Sequence, residues 1–352
     1  MIKGEHNFTI SATKGVGMLL IVLFHAQGPD WIMPIAEICS ITVFFFISGI
    51  FFKDSYLENF KRFCESKVKR LYLPFVVCML VTVFFHNVLA NWHLYDDYYS
   101  KDIILDKVLS VITLQERDNL WGCFWFVKEL IYASFFVYAA LWITKKILGD
   151  AFHPAVVLLL ALVTLIFAVH YEHTIFKVNT INRQTFLATA IIMTGYAFRE
   201  LNILRFFNNW WMAIILTCST LAICQTWNNS FNAVGWDIFR IFGVSMVGTL
   251  AIYALCSKLS GKVLKGLDFI GRYTMPVLIF QFWAFRLVDL LKIKIFDLDI
   301  TYLANFPIIS DNNDYFWVLY TLAGIYLPIL AAKCIEYAKF KIPHKLETVK
   351  VK

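Results

Sequence analysis

The sequence predicts an all-α integral membrane protein of about ten transmembrane helices, with N- and C-termini cytoplasmic. Three observations lead there. Apolar residues make up 59% of the 352 residues and charged residues only 16%, where soluble domains average about 45–50% and about 25%. Apolar runs approaching the roughly 20 residues a bilayer helix needs recur along the whole chain. Lys and Arg are also unevenly placed. Under strict alternation 22 fall in inside segments, counting Lys14, Arg272 and Lys333 at the inner ends of their spans, 7 in outside segments and three (Lys128, Arg240 and Arg286) deeper within spans, as the positive-inside bias requires. A soluble globular enzyme and a disordered chain are both excluded by this composition. The net charge of +7 is mild and does not argue for nucleic acid.

Taken in order, the expected spans begin with residues 10–27, which carry Lys14 and His25 and lack the small-residue cleavage site of a signal peptide. The run 34–52 is rich in Phe and holds Glu37, Ser48 and Gly49. Lys53, Lys61, Arg62, Lys67, Lys69 and Arg70 follow it, and this basic loop sets the direction as cytoplasmic. The run 71–90 returns outward to an acidic and aromatic loop, 91–119, with Trp92, His93, Tyr95, Tyr98 and Tyr99. Next come 120–143, opening with Trp121, Trp125, Lys128 and Glu129, and then 154–170, the most uniformly apolar. The run 185–198 is short and carries three Thr, and 210–227 follows. Asp237 and Arg240 lie in 235–256, Arg286 and Asp289 in 268–291, and 315–333 is last. No internal repeat or linker divides the chain, so residues 1–352 are read as one polytopic membrane domain. The eight Cys are scattered without paired spacing and indicate neither a disulfide framework nor a metal site. Asn228-Asn229-Ser230 fits a glycosylation sequon in an outside turn.

Ionisable side chains at lipid depth are costly and mark candidate functional sites. Those in spans 1, 2, 4, 8 and 9 (His25, Glu37, Lys128, Glu129, Asp237, Arg240, Arg286 and Asp289) all fall in the outer half of their helices. They suggest a polar pocket open to the outer face. Asp237–Arg240 and Arg286–Asp289 are also spaced for simple mutual neutralisation. Lys128 and Glu129 are adjacent and are expected to face different ways, Glu129 inward. His25 has no acid or base three or four residues away, so any charged partner comes from another helix. Lys14 and His25 are 11 residues apart, three helical turns and about 16 Å along one face. Met18, Ile21 and Val22 fill the stripe between them. A cation at one end and an imidazole at the other suit a ligand with a phosphate head and a long thin arm; Lys14 is equally an ordinary inside anchor.

At these residues the chain resembles the acyltransferase 3 superfamily of membrane acyltransferases, above all its fucose 4-O-acetylase-like members. The opening SATKGVGMLLIVLFH matches the family's basic residue and His with Lys14 and His25. FFFISGIFF supplies Ser48 and Gly49, KVKRLYLPF supplies Lys69, Arg70 and Pro74, FWFVKEL supplies Trp125 and Phe126, and IGRYTMPVLIFQ supplies Gly271 and Thr274. Three positions depart from the usual pattern. Ser11 replaces an acid, Lys14 replaces the commoner Arg, and Gln281 stands where His is frequent.

The resemblance implies an O-acyltransferase of the cell membrane, moving an acyl group, most simply acetyl from acetyl-CoA, to a hydroxyl of a carbohydrate such as a surface polysaccharide or its lipid-linked precursor. Acetyl-CoA is then a co-substrate, with no bound cofactor or metal, and the partners are acyl-CoA, the acceptor and the bilayer. Lys14, Lys69, Arg70 and Arg272 are expected to hold the CoA phosphates. His25 is expected to act as general base, oriented by Glu129. Arg240, Gln281 or Arg286 are expected to bind the oxyanion or substrate. Trp92, His93, Tyr95, Tyr98, Tyr99 and Trp121 are expected to stack on sugar rings or simply to line the membrane interface. A transporter or flippase with His25 as proton relay is the alternative, though no inverted repeat supports it.

Overall fold

The computed structural model describes residues 7–171, 181–226, 231–232 and 234–349; the sequon at 228–230 lies outside them. Fourteen α-helices carry the fold: α1 (Phe8–His25), α2 (Met33–Ile50), α3 (Ser55–Glu58), α4 (Phe60–Lys67), α5 (Leu73–Asn91), α6 (Lys101–Ile112), α7 (Phe124–Leu148), α8 (Ala155–His170), α9 (Arg183–Glu200), α10 (Trp210–Thr226), α11 (Asp237–Lys258), α12 (Gly261–Arg272), α13 (Thr274–Phe296) and α14 (Phe316–Val349). No strand occurs among the described residues.

Every expected span coincides with a helix, but the described residues hold seven that are long and apolar enough to cross a membrane. The other three fall short for different reasons. α8 and α10 have 16 and 17 residues, and α9 carries three buried Thr and only weak hydrophobicity. Two boundaries also shift. The expected span from 268 begins inside α12, a separate amphipathic helix, and α13 starts only at Thr274. Pro276 sits in the first turn of α13, where its missing N–H costs nothing, while in a continuous helix its ring would clash with the carbonyl four residues back. At Pro74 the chain instead widens into a π-turn, Val68–Tyr72, between α4 and α5. A π-turn is one way for a helix to absorb a lost backbone bond.

Close helix approach is made by glycine. A Cβ on Gly15 of α1 would lie 2.1 Å from the Leu267 carbonyl oxygen, and one on Gly271 of α12 would lie 1.8 Å from that of Ser11. A second pair does the same between α2 and α9: Gly49 faces Ile192 and Gly195 faces Phe46. Lipid supplies no hydrophobic drive between helices, so small residues that let backbones meet are what hold such a bundle together. Asp54 adds a polar clasp at the C-terminal ends of α2, α7 and α9. Its carboxylate accepts from Tyr196 Oη at 2.9 Å and pairs with Arg199 at 3.3 Å and Lys145 at 3.6 Å.

The opposite end is capped by two loops, each tied down by a partly or fully buried charge. Asp118 accepts Tyr95 Oη on both oxygens at 2.8 Å and caps the turn Asn119–Trp121 through Leu120 N at 2.9 Å. In the loop after α13, Arg286 donates to the carbonyls of Leu303 (2.5 Å), Asn305 (2.6 Å) and Pro307, and pairs with Asp289 at 3.1 Å. Asp289 in turn accepts Ile309 N and Tyr320 Oη, and Lys292 donates to Ile309 O. This cluster seats Phe306 against Phe282, with ring centroids 5.0 Å apart, and against Gly122.

Four outcomes follow from this packing. Gly49→Ala drives a methyl into the Ile192 carbonyl and should cost about 1–3 kcal/mol, read as a fall in the melting temperature of the purified protein. Gly266→Ala, in open space on α12, should leave that temperature unchanged or raise it, since Ala is favoured over Gly in a helix by about 0.5–1 kcal/mol. Arg286→Met strands Asp289 and three carbonyls; breaking a buried pair costs about 3–5 kcal/mol, and protease should cut faster within residues 300–309. Burial pushes the Asp118 carboxyl up to about 6, against the opposing bonds from Tyr95 and Leu120. Its contribution to stability is therefore full below about 4 and lost as pH rises through about 6. The melting temperature of wild type minus that of Asp118→Asn should be more positive at pH 4 than at pH 7.5; a flat difference would contradict the raised value.

Candidate active site

His25 ends α1, whose chain stops at Gln27 in the left-handed region, φ 50°. The imidazole Nδ1 lies 2.8 Å from the Ile21 carbonyl oxygen. A carbonyl can only accept, so Nδ1 carries the proton and Nε2 presents a lone pair. The ring is held edge-on to Phe282 at 5.0 Å and to Phe24 at 5.4 Å. His25 is half-buried in the wall of a cavity of about 420 Å³.

The cavity collects one end of the bundle. Ile21, Phe24 and His25 come from the end of α1, Glu37 and Ser40 from the start of α2, and Gln184 from the start of α9. Glu116 to Asn119, Trp121 and Gly122 precede α7, Phe231 and Asn232 precede α11, and Phe306 follows α13. Aromatic faces (Trp121, Trp125, Phe231, Phe306) thus alternate with carboxylates and amides. Such a lining can stack on an apolar ring face while accepting hydrogen bonds from hydroxyls.

The expected site residues divide between those this cavity gathers and those it does not. His25, Glu129 and Trp125 line it. Glu129 is buried as expected, but it makes no hydrogen bond to His25 among the described contacts. Its oxygens accept Thr185 Oγ1 at 2.5 Å and Asn182 Nδ2 at 3.2 Å. The group that orients His25 is the Ile21 carbonyl of its own helix. Lys128 does not face the interface either; its long stem folds back and its ammonium reaches Glu129 at 3.1 Å. Arg286 is consumed by the 303–307 loop, and Arg240 pairs with Asp237 at 3.3 Å away from the cavity. Neither lines the cavity. Gln281 is fully buried, next in the chain to His25's neighbour Phe282, and donates Nε2–H to Cys123 Sγ at 2.6 Å. Ser48 bonds back to the Phe44 carbonyl at 2.7 Å, and Gly49 serves packing.

The four expected phosphate ligands split into two groups. Lys14 and Arg272 share the buried Asp268: Arg272 pairs with it at 3.3 Å and Lys14 lies within its electrostatic reach. Lys69 and Arg70 are exposed on the π-turn, which packs on α4, α5 and α7. The stripe from Lys14 to His25 is closed, because Met18 and Val22 are buried in helix packing and only Ile21 of the three reaches the cavity. Of the outer-loop rings, Trp121 alone lines the cavity. Tyr95 bonds Asp118 and Tyr99 stacks on His86 at 3.4 Å, while Trp92 and Tyr98 are exposed.

Sequence reasoning missed Asp118, Gly122, Cys123 and Phe306. None lies in a motif with a chemical signature, and only the fold brings them to His25.

Comparison with curated proteins and with solved structures found no match. Residues 7–333, almost the whole chain, match the family model of the acyltransferase 3 acyltransferase domain. With His25 at the end of α1 and an all-helical body of multiple apolar helices, the chain belongs to the acyltransferase 3 family and is a membrane acyltransferase.

Proposed function

We propose that this protein transfers an acetyl group from acetyl-CoA to a hydroxyl of a carbohydrate, a surface polysaccharide or its lipid-linked precursor, within the cell membrane. The observation that carries the reading is the fixed tautomer of His25. Its Nδ1–H is spent on Ile21, so the other nitrogen is a base in the wall of a cavity whose rings and polar groups suit a sugar. A general base must sit within reach of the proton it removes and must be neutral to accept it. Ten crossings with both termini cytoplasmic fit this arrangement. The cavity joins the exits of α1 and α13 to the entries of α2, α7, α9 and α11, as strict alternation requires.

On this reading the CoA phosphates are held at the Lys14 end, by Lys14 and Arg272 after exchange with Asp268 and by the exposed Lys69 and Arg70. The pantetheine arm then needs α1 to part from a neighbour, since Met18 and Val22 close the way in this conformation. Glu129, anchored by Thr185, Asn182 and Lys128, is placed to bind acceptor hydroxyls rather than the imidazole.

The test is turnover by purified full-length protein in liposomes with labelled acetyl-CoA and candidate glycans, joined to mass spectrometry of surface glycans from cells with and without the gene. His25→Ala should lower kcat by about 10²- to 10⁴-fold at a nearly constant KM for acetyl-CoA. Lys14→Ala should raise that KM with little change in kcat, the mark of a group that binds donor and transition state alike. Glycans unchanged by gene loss, together with no His25-dependent release of CoA, would overturn the reading. Movement of a solute that depends on His25 would then favour transport.

A further inference from the structure

Beside the imidazole lies a thiol that the foregoing reading does not use. Cys123 immediately precedes α7, directly behind Gly122 of the cavity wall, and is buried to 3% exposure. Its Sγ lies 3.9 Å from His25 Nδ1 and 4.0 Å from Nε2. On its other side Gln281 donates Nε2–H to the same sulfur at 2.6 Å. Gln281 comes from α13 and His25 from α1, so three separate elements converge on one sulfur. The Gln281 amide is fully buried, yet its Oε1 has no hydrogen-bond partner. A buried amide with one of its groups unpaired asks for an explanation, and a ligand arriving at Sγ supplies one.

The chemistry of this trio is that of an activated nucleophile: thiol, base and polarising donor. A buried thiol is protonated and inert until a base takes its proton. The Nδ1 proton of His25 is committed to Ile21, so only Nε2 can receive it. The 4.0 Å separation from Nε2 is a loose contact of the kind that tightens when substrate is bound. The cavity is a single chamber that does not reach Lys14. Donor and acceptor therefore use it in turn more readily than together, and taking turns requires a place on the protein to leave the acyl group.

We propose that Cys123 is an acyl carrier, a further catalytic residue of the proposed acetyl transfer, on which this inference rests. In the first half, His25 Nε2 takes the thiol proton while Sγ bonds to the thioester carbonyl carbon. The bond from that carbon to the CoA sulfur breaks, and the departing thiolate receives the proton from His25. One thioester replaces another, so no oxidant, reductant or energy source is needed. In the second half, His25 takes the proton of the acceptor hydroxyl as its oxygen bonds to the acyl carbon. The bond to Sγ breaks and the Cys123 thiolate regains its proton from His25. The Gln281 N–H that now points at Sγ is placed to donate to the acyl oxygen in both halves.

The test uses full-length protein and acetyl-CoA labelled in the acetyl group, first without acceptor. About one CoA per protein should be released in a burst, the kinetic sign of a covalent intermediate. Peptide mapping after acid quench should place one acetyl on Cys123, removable by neutral hydroxylamine and by a later chase with acceptor. Cys123→Ser and Cys123→Ala should abolish the burst and the hydroxylamine-labile acetyl, and lower steady-state transfer by at least about 100-fold, as loss of a nucleophile does. Gln281→Ala should slow the burst by at least about 10-fold. Wild-type turnover with the label on His25 or nowhere, or a folded Cys123→Ser variant that transfers at the wild-type rate, overturns the carrier and leaves the acetyltransferase reading standing. Absence of CoA release by wild type with every acceptor overturns both.

Discussion

One hydrogen bond, from His25 Nδ1–H to the Ile21 carbonyl, decides what the centre of this protein can do. It need not displace a helix hydrogen bond, because a carbonyl oxygen has two lone pairs and Ile21 can accept the ring N–H beside its place in the helix ladder. It sets the tautomer and aims the ring without calling on a carboxylate. That bond works only if the last turn of α1 stays put, and three separate contacts see to this. Gly15 and Gly271 press α1 against α12 near its start. Phe24 and Phe282 bracket the imidazole. Beyond the helix end, Asn313 Nδ2 binds the carbonyls of Ala26 and Gln27 at 3.3 and 3.1 Å. An imidazole whose backbone is gripped at both ends is preorganised, and preorganisation is where most catalytic advantage comes from.

The other charges at lipid depth illustrate the alternative fate of an ionisable group. Arg286, Asp289 and Lys292 satisfy one another and a ring of loop carbonyls. They are architecture, holding Phe306 over the cavity. Asp268, Lys14 and Arg272 form a looser set: the acid is buried, Lys14 is half-buried and Arg272 is exposed. A cation that shares one carboxylate with another can change partner for a phosphate at modest cost, whereas one locked to three carbonyls cannot. Exposure and exchangeability, more than charge, separate the binding candidates from the braces.

The helices were legible because a bilayer forces long apolar runs and leaves polar residues conspicuous. His25, Glu129 and Arg286 stood out for that reason alone. Their partners did not. Glu129 is satisfied by Thr185, 56 positions away, and Arg286 by a loop with no composition bias. The spacing of Arg286 and Asp289 revealed the pair, but no spacing reveals that three backbone carbonyls complete it. Pro276 and Pro74 marked the two places where apolar run and helix disagree. Apolarity records where the chain tolerates lipid, while proline records where a backbone bond must be missing. Cys123 was hidden most thoroughly: among eight scattered cysteines it reads as a small apolar residue until α1 and α13 are folded around it.

The closed stripe between Lys14 and His25 then becomes informative. α1 is held at both ends, so a donor arm cannot enter by displacing α1 itself. Val22, one turn before His25, meets α13 and α14 where Gly324 lets them crowd together: a Cβ there would lie 2.8 Å from Val22 and 2.6 Å from Phe285. α14 is also the least embedded of the candidate spanning helices, with 33% of its apolar window buried, and it packs far more on α13 than on α1. On the proposed reading the thioester passes where α14 lifts from α1, and the acyl group is delivered to a cavity whose acceptor-facing wall belongs to other helices. The acyl group and the acceptor then meet at His25 in that one cavity, one after the other, which is the order a carrier beside the ring would serve.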